Sequence, residues 1–288
     1  MIDGERRSVA AVCRALGVSR SNIASRRSRR AWRDRRGRPA VEDTEVLQQL
    51  RDIAGQRPTY GYRRLWALLR RQRRNQGQSP VNAKRVYRLA KQHKLLLQRY
   101  TGSPPMRVHD GKIAVEKSDQ RYCSDGFEFG CDNGEKVRVT FSLDCCDRQA
   151  ISFAATTAGI SGELVRDVMV QTLNRRFGHV EQMPQPVQWL SDNGSGYIAR
   201  ETLAFAGDIG LLACRTPYRS PQSNGMAEAF VKTFKRDYVS WNPLPDAPTV
   251  LEQLVKWFDD YNTVHPHSAL GYRSPEEFRE NDAKASGQ

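Results

Sequence analysis

The sequence has no run of 18 uncharged apolar residues, which excludes a helical bilayer span. Its opening, MIDGERRSVAAV, lacks an apolar stretch followed by a small-residue cleavage site, so no secretory signal is read there and the expected location is the cytoplasm. No Cys-x-x-Cys pair occurs among the six cysteines Cys13, Cys123, Cys131, Cys145, Cys146 and Cys214. Adjacent Cys145 and Cys146 on a strand would point to opposite faces and chelate one ion poorly, so the thiols are read as reduced and partly buried. Sustained heptads are also missing, which removes a coiled-coil zipper from these residues.

What is present is a globular mixture with a polar lean, 39% hydrophobic and 27% charged over 288 residues, enough for one large domain or two to three small ones. Charge is unevenly placed. Residues 1–100 hold 26 Lys/Arg against 7 Asp/Glu, a net of +19, while the remainder carries a net of −5. Such a front end is built for a polyanion. Acidic membrane is the competing partner, but the basic segments have cores and turns of their own rather than one amphipathic anchor.

Within that front end, Val9, Val12, Cys13 and Leu16 recur at helical spacing, Gly17 breaks the pattern, and Ser19 is placed to cap a second short helix containing Ile23. This is helix-turn-helix grammar, with Arg20 and Ser21 where base edges would be met; a plain helical hairpin is the competing reading. Eight arginines follow in residues 26–38, a solvated linker or a tether that tracks phosphates. A second helical unit spans about 43–97. Its first helix carries Val46, Leu47, Leu50 and Ile53 and ends at Gly55. The next begins near Tyr60-Gly61-Tyr62, packs through Leu65, Trp66, Leu68 and Leu69, and bears Arg63, Arg64, Arg70 and Arg71 on its other face. Ser79-Pro80 predicts the start of a third helix. Val86, Leu89, Ala90 and a semi-buried His93 share one face of it; Lys84, Arg88 and Lys91 form a cationic face beside Arg85, suited to a major groove.

Residues 101–120 lose the helical period and predict a domain boundary. Beyond it the period becomes two. Tyr122–Phe129 and Lys136–Asp144 read as strands joined at Asp132-Asn133-Gly134, and Ala150–Thr157 as a third. Ser161 is placed to cap a helix through Leu173; Val187–Leu190 is a short buried strand; helix 198–209, strand 211–215 and a helix from Asn224 to Tyr238 follow. Three strands and then alternating helix and strand describe a mixed α/β sheet, with Trp189 and Trp257 in its core.

Three acids sit where such a sheet would gather them: Asp125 in the first strand, Asp192 at the end of the fourth, and Glu228 in the first turns of the last helix. Phosphodiester chemistry needs an activated hydroxyl and a stabilised leaving oxygen in line across phosphorus, which two Mg²⁺ ions about 4 Å apart supply through hard oxygen ligands. Lys232 and Lys235 fall within about 60° of Glu228 on the helix, a surface salt-bridge pattern that also suits gripping DNA beside a metal. Asp144 is the rival ligand; its other role is capping a turn with Arg148. Asp132 reads as a turn residue. His265-Pro266-His267 reads as structural or DNA-facing rather than as a metal pair. Tyr218 and Arg219 would contact DNA or frame the Ser220-Pro221 loop.

The blocks TYGYRRLWALL, NAKRVYRL, RYCSDGFEF, WLSDNGS, RSPQSNGMAEAFVKTFKRDY and YNTVHPHSALGYRSPEEF resemble the downstream-frame (OrfB) transposases of two-frame bacterial insertion sequences, relatives of retroviral integrases, from about residue 43 to 279. The resemblance implies an α/β fold with a ribonuclease-H-like integrase catalytic core, a mixed five-stranded sheet with helices, preceded by an all-α helix-turn-helix-like DNA-binding region. It implies that Asp125, Asp192 and Glu228 are the D-D-E catalytic and metal ligands, that Lys235 is the basic residue seven positions after the glutamate, and that the metal is Mg²⁺, with Mn²⁺ substituting. Many members carry Thr-Asp at the first acid; here it is Ser124-Asp125-Gly126.

The resulting plan is a helix-turn-helix-like segment and Arg-rich linker over 1–40, a helical DNA-binding domain over 41–100 (contacts from Arg63, Arg64, Lys84, Arg85, Arg88 and Lys91), a linker over 101–120, a catalytic core with a C-terminal helical extension over 121–280, and a disordered tail over 281–288. Expected partners are DNA, as terminal inverted repeats and target, further copies of the chain on DNA, and an upstream-frame OrfA product or fusion. The rival functions are a metal-dependent nuclease without strand transfer and a DNA-binding regulator that does not cut.

Overall fold

In the computed structural model, residues 8–26, 42–98, 114–215 and 225–286 are described. Most of the arginine run, most of the 101–120 boundary, and Tyr218, Arg219, Ser220, Pro221 and Asn224 lie outside them. Two compact units are present, Met1–Gln48 and Gln49–Gln288.

In the first, helix α1 (Val9–Ala15) begins where the Ser8 hydroxyl accepts the Ala11 N–H at 3.3 Å. It ends at Gly17, whose φ of +61° is the left-handed value glycine takes without cost. Ser19 then caps helix α2 (20–26) by accepting the Asn22 N–H. The expected apolar face is not buried, however: Cys13 is, while Val9, Val12 and Leu16 are exposed.

Three helices follow, α3 (Thr44–Gln56), α4 (Tyr62–Asn75) and α5 (Ala83–Gln92). Leu50, Ile53, Leu65, Leu69, Val86, Leu89 and Ala90 are buried, as their spacing predicts. The start of α5 is later than expected. Asn82 is its cap, its Oδ1 accepting the Arg85 N–H at 2.8 Å, and the Ser79 carbonyl is held by Arg73 Nε, which keeps Ser79 and Pro80 in the preceding loop. His93, predicted semi-buried, is the exposed C-cap.

The sheet has the order β3-β2-β1-β4-β5. Strands β1 (Arg121–Gly130), β2 (Lys136–Asp144) and β3 (Ala150–Thr156) form an antiparallel meander, and β4 (Val187–Ser191) and β5 (Leu211–Arg215) add parallel to β1. Helix α6 (Gly162–Phe177) carries the β3–β4 crossover, with Ser161 as its cap. The single helix predicted over 198–209 is two, α7 (Ser195–Ile198) and α8 (Arg200–Asp208), because Ala199 leaves helical space at ψ 134°. Helix α9 (Gly225–Asp237), α10 (Ala247–Thr263) and α11 (Pro275–Ser286) complete the chain. The last runs through most of the expected disordered tail. Cys145 and Cys146 lie in the turn after β2 rather than on a strand, and all six cysteines are free.

Period-two alternation sorts side chains between two cores. Cys123 and Phe127 of β1, Val139 and Phe141 of β2 and Leu190 of β4 meet Phe230 and Phe234 of α9 and Trp257 and Phe258 of α10. Tyr122, Val165, Val168, Trp189 and Leu211 build the other, towards α6 and α8. Both tryptophans expected in the core are there.

The helices of 49–98 do not stand apart as a separate domain. Arg57 forms a two-pronged pair with Asp260 of α10, at 2.5 and 2.8 Å, and Arg64 reaches Asp237 of α9 at 3.1 Å. Arg71 pairs with Glu277 of α11, and Tyr60 hydrogen-bonds to the buried His265. These are long-range partners that no local sequence pattern announces.

Candidate active site

Strands β1 and β4 are paired in parallel up to Cys123 with Leu190. Two residues further along stand Asp125, within β1, and Asp192, the first residue after β4 ends at Ser191, so both acids come to the same end of the sheet. Asp125 shares the parity of Cys123 and Phe127 and therefore faces the side of the sheet covered by α9, while Asp192 opens the loop that follows β4. Glu228 lies one residue after buried Ala227 in the first turn of that helix. The register brings Asp125 and Asp192 to one sheet end, close enough to Glu228 that the charges of both Asp192 and Glu228 reach Asp125.

Each carboxylate is locally fixed. Asp125 Oδ1 accepts the Gly126 N–H at 2.7 Å, and Asp192 Oδ1 accepts the Gly194 N–H at 3.0 Å. Glu228 is 3.7 Å from the Lys232 ammonium. Burial first, and then the charges of Asp192 and Glu228, push the Asp125 carboxyl up to about 6 against the opposing Gly126 hydrogen bond. Asp125 and Asp192 line a cleft of about 360 Å³ with Phe127, Arg138, Ile160 and Tyr197; Glu228 is not part of its wall. Among the described residues no three His, Cys, Asp or Glu side chains close on a common point. The donor chemistry nevertheless fits a hard divalent cation: three carboxylates supply oxygen ligands only, and their mutual repulsion keeps them apart unless a cation lies between them.

The cleft has supports the sequence pattern did not reveal. The Tyr197 hydroxyl is 3.0 Å from Ser124 Oγ and 2.7 Å from Thr140 Oγ1, and Ser124 donates on to the Phe141 carbonyl, so α7 is tied to the back of β1 and β2. A Cβ on Gly196 would stand 3.1 Å from the Ser161 backbone, which makes this a position for glycine. A tyrosine five residues after Asp192 has no periodic signature; only the folded register shows its use.

The other predicted residues divide. Lys84, Arg88 and Lys91 are exposed on α5 and Arg85 is half-buried. Arg63 is exposed and lies over the Tyr62 ring. Arg64 does not share that face, being held by an Asp237 side chain that is 2% exposed. Lys235 sits with its ammonium 5.8 Å from the Phe127 ring centroid. Asp144 caps the turn after β2, accepting the Cys146 and Asp147 N–H groups, but the guanidinium beside it is Arg176 of α6 at 3.4 Å rather than Arg148. His265 and His267 are buried among Tyr60, Tyr261 and each other; burial holds His265 well below the usual imidazole range and His267 down to about 3, so both are neutral packing residues.

The Integrase core domain family matches residues 115–221 and again 213–275, and the HTH-like domain family matches residues 41–101. Transposase InsD for insertion element IS2A/D/F/H/I/K of Escherichia coli is 53% identical over 272 residues, covering 94% of this chain and 90% of that protein. Among solved structures, the catalytic core domain of BIV integrase aligns at a TM-score of 0.41 and 14% identity, over 59% of this chain and 99% of that one. The HTLV-2 integrase catalytic core domain in complex with magnesium aligns at 0.41 and 13%, over 56% and 96%. A five-stranded mixed sheet, an integrase core and a helical HTH-like region, joined to more than half identity over nearly the whole length, place this chain in the family of insertion-sequence transposases of the integrase superfamily.

Proposed function

We propose that this chain cuts DNA at the ends of its insertion sequence and joins them to target DNA, with Asp125, Asp192 and Glu228 as the catalytic, metal-holding acids and Mg²⁺ (or Mn²⁺) as the ion. The observation that carries the reading is the placement of Asp125 on β1 and Asp192 just past the end of the paired strand β4, lining one cleft, with the charge of Glu228 on α9 felt at Asp125. When bound, the cations activate the attacking hydroxyl and stabilise the leaving oxygen. In the first reaction a water oxygen attacks phosphorus and the bond to the 3′-oxygen breaks, freeing a 3′-hydroxyl. That hydroxyl then attacks a target phosphate, forming the new ester and releasing a target 3′-hydroxyl.

The residues of this chain prepare the site. Asp125, destabilised as an anion by burial and two like charges, gains by exchanging its proton for a cation. The Gly194 N–H keeps one Asp192 oxygen oriented. Lys232 and Lys235 are placed to take phosphates beside Glu228, while Lys84, Arg85, Arg88, Lys91 and Arg63 supply the affinity for duplex; Arg64 is committed to Asp237. Further copies of the chain, and an upstream-frame OrfA product or fusion, complete the assembly on DNA.

Purified chain with Mg²⁺ or Mn²⁺, given DNA carrying the element's ends, should yield nicked and joined products, and Asp192→Asn should abolish both while sparing gel-shift binding. Activity persisting in that variant sinks the assignment. Nicks without joined products would make the chain a nuclease, and binding without either a regulator.

A further inference from the structure

The arginines of α4 fall into two sets. Arg64 and Arg71, with Arg57 seven residues earlier, are spent on Asp237, Glu277 and Asp260. At 100° per residue, Arg63, Arg70 and Arg74 lie within about 40° of one another on a different face, with Trp66 beside them. Arg70 is exposed and its guanidinium carbon is 5.5 Å from the Trp66 ring centroid. No carboxylate pairs with Arg63 or Arg70 among the described residues.

This face is completed from the far end of the sequence. The chain turns back through His267 to Arg273, with Gly271 and Tyr272 both at φ 64°, a left-handed value that costs a tyrosine energy and is held by the Tyr272 N–H to the His267 carbonyl. The turn sets Tyr272 edge-on to Trp66 at 6.0 Å and presents exposed Arg273, which has no acidic partner among the described residues. Trp66 is steadied from behind by its Nε1–H to the Val81 carbonyl. Between them is a cavity of about 40 Å³ bordered by Trp66, Arg70, Arg74, Tyr272 and Arg273. That volume is close to the ~30 Å³ share of one water, too small for a base and sufficient for a phosphate oxygen. Glu277 at its edge is neutralised by Arg71 at 2.5 Å, while Arg74 stands off at 3.5 Å with its side chain 68% exposed.

We infer that Arg70, Arg74 and Arg273, set around the Trp66–Tyr272 pair, form a second binding surface for the phosphate backbone of duplex DNA, built jointly by α4 and the turn before α11 and separate from the cationic face of α5. The inference rests on the DNA-directed reading above. It places a phosphate-gripping role on residues outside both the expected recognition helix and the acids, and it gives the C-terminal extension a part in binding.

The test is binding in EDTA, read apart from strand transfer, so failure of the catalytic reading leaves its result intact. Arg70→Ala/Arg273→Ala is titrated against duplex taken from the DNA flanking the coding sequence and against random-sequence duplex of equal length. Each phosphate contact contributes about 0.9 to the slope of log affinity against log salt, so the slope should fall by about 1.8 and affinity by tenfold or more, with an unchanged melting temperature. A loss confined to flanking DNA assigns the surface to the element's end, an equal loss on both to general backbone contact; either supports it. Unchanged slope and affinity overturn it. In the wild-type chain, bound duplex should protect Arg70, Arg74 and Arg273 from phenylglyoxal, mapped by mass spectrometry; full reactivity under saturating DNA overturns the proposal even where the double variant folds poorly.

Discussion

Asp125 on β1 and Asp192, the first residue past β4, each lie two residues beyond the last backbone pair of these parallel strands, Cys123 with Leu190. Their approach is set by the end of the sheet and the first step of the loop after β4, and the fold bears the cost of burying the Asp125 carboxylate and of holding it near two like charges. A cation offsets that cost; so does a proton. The raised Asp125 carboxyl is the measurable sign of it.

The corresponding prediction concerns stability without metal. Asp125 has its usual value near 3.8 when unfolded and about 6 when folded, so the folded state binds the extra proton between those limits. Its contribution favours folding below about pH 4 and is lost as pH rises through about 6. Asp125→Asn should therefore stabilise the metal-free chain at pH 7 by about 1–2 kcal/mol, after discount for partial exposure, while abolishing strand transfer. Chemical denaturation in EDTA between about pH 4 and pH 8 checks this: the two proteins should diverge as pH rises, and parallel curves would remove the strain.

Much of this arrangement was legible in the sequence because it is periodic. The alternation in KVRVTFSLD marks β2 with the bounds it has, and Asp192 and Glu228 are placed by a strand end and a helix start. What was not legible is whatever depends on partners distant in sequence. Arg63 and Arg64 look equivalent along the chain, yet Asp237, 173 residues on, removes Arg64 from the DNA-facing set. Arg148 is the near guanidinium to Asp144, but Arg176 on α6 is the one that folding delivers. Ser79-Pro80 makes a plausible helix start until Arg73 claims the Ser79 carbonyl and Asn82 does the capping. In the first two cases a tertiary contact decides between local options of similar energy; in the third, one local cap wins over another.

Gly196 provides a steric test of the cleft wall. A Cβ there would lie 3.1 Å from the carbonyl carbon and oxygen of Ser161 and 3.2 Å from the Ile160 oxygen, all backbone atoms that cannot swing aside. Gly196→Ala should push the Asp192 loop from the β3–α6 loop, costing about 1–3 kcal/mol and at least tenfold in strand transfer. Gly159→Ala, where nothing lies within 4 Å, is the control and should be near neutral. Equal melting temperatures and rates for the two variants would show that the junction yields.

At the start of β1, away from Asp125, Arg176 is fully buried with the carboxylates of Asp144 and Asp147, themselves unexposed, at 3.4 and 3.0 Å. Its Nε is 3.2 Å from Asp119 but out of alignment for a hydrogen bond. Burial works against the guanidinium's charge, and Asp147, Asp144 and Asp119 outweigh it. Burial and Asp147 raise Asp144 to about 6 even with Arg176 pulling the other way. Arg176→Met fills similar volume but takes the buried cation from two anions, leaving Asp147 with Arg279 at 3.5 Å, the Ser118 hydroxyl and the Gln149 N–H, and Asp144 with backbone N–H groups alone. Removing one partner of a buried ion pair costs about 3–5 kcal/mol, so the variant should be destabilised by that order at about pH 7.5. Without the arginine, Asp144 takes up its proton more readily than before. The deficit should therefore shrink as pH falls through about 6 and be visibly smaller at about pH 5 in urea titrations. A deficit that is the same at both values would mean that the cost lies in lost packing rather than in the stranded carboxylates.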